Sequence, residues 1–180
     1  NLSVFVSHSF SPEAQGIPLA AYRATILAGL AATEESFVGV GAGLRLQATF
    51  ENHDFTTLLA EQLRATMQST DCAIVDLSQT SPNVMYELGF LDSLGTPLVL
   101  IRSKVDAQGV PADIAGRMFV EYEGVEDLAR KLPGALIGCV QESLSRNAIL
   151  PTDRDAVWFS EAAETINIVV GHSPDNLYSA

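Results

Sequence analysis

Basic residues are scarce in this chain: 10 Lys and Arg stand against 22 Asp and Glu in 180 residues, for a net charge of −12 at pH 7. A surface of that sign repels phosphate polymers and anionic lipid, which excludes bulk binding of nucleic acid or membrane. It leaves room for one small phosphorylated ligand held locally by backbone amides. Long apolar runs are lacking as well. The longest, Ile17 to Ala32, is broken by Arg23 and is too short to span a bilayer. Cysteine is limited to Cys72 and Cys139, far apart and in apolar contexts. That usage points to a reduced, cytoplasmic protein with two buried thiols rather than a disulfide framework. His8, His53 and His172 with those two cysteines give no metal-ligand spacing, so neither a metal nor a cofactor is expected. No charged segment followed by an apolar one opens the chain, and a secretory leader is not expected. The first residue is Asn1 rather than methionine, which raises the expectation of a piece of a larger protein; the Asn1-Leu2-Ser3 sequon is read as coincidence.

Several familiar motifs are absent too. Gly39-Val40-Gly41-Ala42-Gly43 precedes a strand pattern instead of opening a helix after one, so it is no dinucleotide fingerprint. There is no Walker pattern, and Gly171-His172-Ser173 lacks the strand–helix setting of a nucleophile elbow.

What is present is a well-supplied core. Apolar residues make up 47% and charged residues 18% of the chain, the balance of one folded domain. Leu2 to Val6 reads as a short buried strand emptying into the polar loop Ser7-His8-Ser9-Phe10-Ser11-Pro12. Leu19 to about Glu34 is rich in helix formers. Leu44 to Phe50 alternates like a half-exposed strand. Asp54 is placed to cap a helix to about Ser69, with Phe55, Leu58, Leu59, Leu63 and Met67 on one face. Cys72-Ala73-Ile74-Val75-Asp76 is an uninterrupted apolar run ending at an acid, the pattern of a central parallel strand covered on both faces. Pro82 starts a helix to about Leu94, Gly95 ends it, and Pro97 to Ile101 forms the next strand. A turn near Asp113, a strand from Arg117 to Tyr122 and a helix from Val125 to Ser145 follow, with Pro133 expected to kink or split that helix.

Alternation of strand and helix predicts an α/β fold with a flavodoxin-like, doubly wound parallel five-stranded sheet of order 2-1-3-4-5. It would occupy residues 1–147, with a short C-terminal extension over 148–180. In that extension Thr152 or Asp153 is placed to cap a helix to about Glu164, and Ile166 to Val170 reads as a further strand. Ligands of such sheets bind beyond the carboxyl ends of the strands, at the switch point. Here that rule selects Ser7 to Phe10, Asp76 to Asn83 and the helix start carrying Glu87.

The segment Asp76 to Gly89 carries the chemistry. On a helix, Asn83 and Glu87 share a face, while Val84, Leu88 and Leu91 form the stripe that anchors it to the sheet. Cleaving an N-glycosidic bond builds positive charge on the ribose, and a fixed carboxylate can stabilise or trap that cation. Glu87 is the candidate nucleophile, with Asp76 orienting a hydroxyl or the base. Ser7, His8, Phe10, Ser78, Asn83 and Tyr86 are candidate substrate-binding residues. Plainer readings stand beside these: Glu87 as a solvated helix glutamate, Asp76 as a cap for the next turn, Asn83 as a first-turn residue, Tyr86 as packing and His8 as structural.

Asp76-Leu77-Ser78, then Ser81-Pro82-Asn83-Val84-Met85-Tyr86-Glu87-Leu88-Gly89 and Leu94-Gly95-Thr96-Pro97-Leu98-Val99-Leu100-Ile101, resemble nucleoside 2-deoxyribosyltransferases and TIR-like nucleotide-binding domains. Val4-Phe5-Val6-Ser7-His8-Ser9 and Val110-Pro111-Ala112-Asp113-Ile114 are similar to TIR-like segments, so the resemblance runs over residues 2–140. It implies that Glu87 is the catalytic carboxylate and Asp76 the strand-end aspartate. Two departures are visible: Ser78 to Asn83 holds no further acid, and Met85-Tyr86 stands where TIR domains carry a tryptophan. They favour hydrolysis of a nucleotide, nucleoside or NAD-type bond over base exchange. A nucleotide-sensing signalling module without turnover is the alternative, and a self-associating scaffold is a third. The partners expected are a small nucleotide or NAD, with a second copy or a fused effector domain as further candidates.

Overall fold

The computed structural model describes residues 1–9, 17–38, 43–50, 57–79, 81–105, 114 and 116–149. The expected cap Asp54 and Phe55, the loop residue Phe10, Asp113 and the whole stretch from 150 onward lie outside the described residues. Nine elements follow in order: β1 (Leu2–Ser7), α1 (Leu19–Ser36), β2 (Leu46–Phe50), α2 (Thr57–Gln68), β3 (Cys72–Asp76), α3 (Pro82–Ser93), β4 (Leu98–Ser103), β5 (Val120–Tyr122) and α4 (Val125–Ile149).

All four strand pairings are parallel, in the order β2-β1-β3-β4-β5. The fold is flavodoxin-like. Two apolar layers explain why the central strands are apolar throughout. On one face Val4, Val6, Cys72, Ile74, Val99 and Ile101 pack with Tyr22, Ile26 and Leu30 of α1 and with Leu128, Leu132 and Leu136 of α4. On the other, Phe5, Ala73, Val75 and Leu100 pack with Met67 of α2 and with Val84, Leu88 and Leu91 of α3. The stripe expected to anchor α3 is therefore the one that does. The order in which strands are added across the sheet reverses between β1 and β3, where Val4 pairs in parallel with Cys72 and Ser7 with Val75.

Local chemistry sets the element ends. Ser81, in extended conformation, caps α3 by accepting from the Val84 amide, and Pro82 occupies the first turn, where its missing N–H costs nothing. After α3, Gly95 adopts φ +67°, a conformation that glycine takes without a Cβ penalty. Beyond β4 the structure departs from expectation. β5 is only three residues long, because Arg117 is drawn into a turn with Ile114 and pairs with Asp92, while Met118 stands 94% exposed. Among the described residues no helix separates β4 from β5. Pro133 does not split α4, which continues from Val125 to Ile149. The proline forfeits one hydrogen bond toward Ala129, but the buried row Leu128, Leu132, Leu136, Cys139 and Val140 runs past it and holds the helix on the sheet. No helix among the described residues is long and apolar enough to cross a membrane.

Candidate active site

Among the described residues, most of the buried polar side chains gather at the carboxyl ends of the strands, with Thr33 and Ser143 buried elsewhere on α1 and α4. Ser7, His8, Asp76, Ser78, Glu87 and Ser103 are all buried, against the usual preference of such side chains for solvent. Alternation along the strands sorts them. Ser7 follows Phe5 toward the α3 face, whereas Asp76 follows Cys72 and Ile74 toward the face covered by α1 and α4. The two carboxylates selected from the sequence thus reach the carboxyl edge from opposite sides of the sheet.

On the α3 side, Glu87 is 1% exposed, and the Ser7 hydroxyl donates a short hydrogen bond to its Oε2. This contact joins the end of β1 to the second turn of α3, at the point where the strand order reverses. Ser9 Oγ, donating to Gln79 Oε1 at 3.0 Å, makes a second bridge between the same two loops. Glu87 is therefore no solvated helix glutamate; it is a fixed acceptor at the switch point.

Asp76 anchors a second network on the opposite side. Its Oδ1 accepts from the Ser78 amide at 2.8 Å and the Ser78 hydroxyl at 2.5 Å, and its Oδ2 accepts from Tyr122 Oη at 3.0 Å. Ser78 Oγ also accepts from the Ser103 amide at 2.7 Å, so one serine ties together β3 and β4. Tyr22 approaches the same carboxylate without reaching good alignment. Burial pushes the Asp76 carboxyl above its ordinary range, and the hydrogen bonds from Ser78 and Tyr122 only partly offset it. Burial, and then the charge of Asp76, raises both phenols above their ordinary value. Asp76 thus does cap the turn that follows it. Those three hydrogen bonds occupy most of its lone pairs.

His8 lies beside these groups, its Nδ1 2.9 Å from the Ser9 carbonyl and its ring edge-on to Tyr22 and Phe50, at 5.6 Å and 6.4 Å between centroids. Asn83 is half-buried, one turn before Glu87. Tyr86 is 50% exposed and stacks on Phe90 at 6.2 Å, on the outer side of α3 rather than with Glu87. Phe10 lies outside the described residues.

Tyr22, Arg23, Phe50, Ser103 and Tyr122 were not among the residues selected from sequence. Each sits in a stretch that reads as ordinary helix or strand. The one available signal was position: Phe50, Ser103 and Tyr122 all end strands, where a parallel sheet builds its site.

No family model matches the chain, and neither does any curated protein. Among solved structures, the CMP N-glycosidase BcmB of Clostridium botulinum is similar at a TM-score of 0.47 and 13% identity, over 72% of this chain and 96% of that one.

Proposed function

We propose that this protein hydrolyses the N-glycosidic bond of a nucleotide, nucleoside or NAD-type substrate, with Glu87 as the carboxylate that meets the sugar. One observation carries the reading: a glutamate buried to 1% and held as an acceptor by Ser7, at the switch point of a doubly wound sheet. Burying a carboxylate is costly unless it is hydrogen-bonded, and a site that tolerates the cost places charge where a reaction can use it. In the reaction the base departs with the electron pair of the C1′–N bond. Glu87 stabilises or traps the cation left on the ribose. Water supplies its oxygen to C1′ and its proton to the departing base. Ser7 fixes the carboxylate, and Asp76 with Tyr122 and Ser78 keeps the neighbouring loop rigid beneath the substrate.

The test is chromatographic detection of free base after incubation with NAD and a panel of ribo- and deoxyribonucleotides and nucleosides. Glu87→Gln keeps an acceptor for Ser7 and removes the charge, so release should fall on the order of a hundred- to a thousandfold with the fold intact. Equal release by wild type and variant would sink the reading. The depth of Glu87 favours one second reading, a nucleotide sensor: tight binding without product over long incubation would select it.

A further inference from the structure

We infer that Arg23 is a phosphate-binding residue, so that the substrate of this site is a nucleoside carrying a phosphate ester at its 5′ carbon rather than a free nucleoside. The inference rests on the nucleoside reading of the site for its substrate class. Its own ground is the placement of one cation.

Arg23 lies in the second turn of α1, directly after Tyr22, which faces Asp76. Its guanidinium carbon stands 5.0 Å above the ring of Phe50, the last residue of β2. Phe50 pairs in register with Val6 and lies against His8. Arg23, Phe50, His8 and Tyr22 therefore form one contiguous cluster at the carboxyl edge, with Tyr22 and His8 buried beneath the Arg23–Phe50 pair beside the Asp76 network.

Among the described residues no carboxylate pairs with the cation of that cluster. With 22 acids for 10 Lys and Arg, carboxylate partners are plentiful in this chain. Arg45, Lys104, Arg117, Arg130, Lys131 and Arg146 each take one. Arg23 takes none among the described residues, and its Nε, like that of Arg102, is buried without an acceptor; of the two, Arg23 is the one stacked on Phe50 beside His8. An arginine N–H left unsatisfied is costly unless a ligand supplies the acceptor. The Phe50 contact steadies the guanidinium without consuming any of its five donors. A planar fork held in this way matches the oxygens of a phosphate. It also answers the problem posed by the net charge of −12, since an anionic substrate needs a local cation to dock on such a surface.

A nucleoside 5′-monophosphate and a dinucleotide such as NAD share this ester, and the assay separates them. Base release would be measured for matched nucleosides, their 5′-monophosphates and NAD, with wild type, Arg23→Gln and Arg23→Lys. Wild type should prefer the phosphorylated substrates. Arg23→Gln should raise KM for them about ten- to a hundredfold, erasing the preference, and Arg23→Lys should restore part of it as a point charge. Preference for the monophosphate or for NAD identifies which ester is bound, and either sustains the inference. Equal handling of nucleoside and nucleotide by wild type, or an unchanged KM in Arg23→Gln, overturns it. If wild type releases no base from anything, the glycosidase reading fails by itself. Calorimetric titration with 5′-monophosphate then decides the role of Arg23: binding lost in Arg23→Gln but partly kept in Arg23→Lys sustains it, and equal binding in all three proteins overturns it.

Discussion

Gly29 sits in the middle of α1, where glycine weakens a helix by about 1 kcal/mol relative to alanine. Its place is explained by α4. A Cβ on Gly29 would lie 2.8 Å from Leu132 Cδ2 and 3.2 Å from Leu132 Cγ. Leu132 is 0% exposed and packed in the core between α4 and α1, so the overpacking should cost about 1–3 kcal/mol. Against a helical gain of about 1 kcal/mol, Gly29→Ala should destabilise by about 1 kcal/mol, within about 0–2. Leu132→Ala removes both close atoms and leaves only the Cβ, at an ordinary 3.6 Å. Alone it should cost about 2–5 kcal/mol through lost burial and the cavity. In that background Gly29→Ala has nothing to strike and should stabilise by about 1 kcal/mol. The sign of one substitution thus reverses with its partner, a coupling of about 1–3 kcal/mol. Urea unfolding of the four proteins, followed by far-ultraviolet circular dichroism with a common m-value, reads the cycle directly. Gly29→Ala stabilising both backgrounds equally would refute the claim that close approach of α4 demands the glycine.

Two further outcomes follow from buried titratable groups. Burial raises Asp76 above its ordinary value of 3.8, so the native state holds the proton more tightly than the unfolded chain. Its contribution to stability is then fullest below the ordinary value and is lost as pH climbs toward the folded one. Asp76→Asn keeps an acceptor for Ser78 and should flatten that fall, read by thermal melts from acid to neutral pH; an unaltered slope would count against it. Cys72 and Cys139 are both free and buried, and the hydrogen bond that the Cys139 thiol donates to Cys72, then burial, pushes that thiol well up. Iodoacetamide at neutral pH should modify neither in the native protein and both in denaturant, by mass spectrometry, and rapid native labelling would contradict this.

Much of this architecture is legible along the chain because it depends on local patterns. The apolar run Cys72 to Asp76 reads as a central strand and is one. Ser81-Pro82 and Gly95 mark the ends of α3 by chemistry that needs no tertiary partner. Other features resisted for a common reason. Pro133 reads as a breaker because propensity is local, whereas burial of the surrounding leucines is not. Arg117 to Phe119 reads as strand, yet an ion pair to Asp92, 25 residues away, draws it into a turn.

The sequence by itself determined the order of elements, the parallel sheet and Glu87 as the residue to watch, since periodicity and capping act over a few neighbouring residues. Only the tertiary structure decided what surrounds that residue. It set Ser7 against Glu87 from 80 positions away and closed Tyr122 onto Asp76 from 46. It also turned the two carboxylates to opposite faces and set Arg23 over the ring of Phe50, with no acid paired to it among the described residues. Those outcomes depend on which strand ends converge and on which face each side chain takes, and both are properties of the assembled sheet.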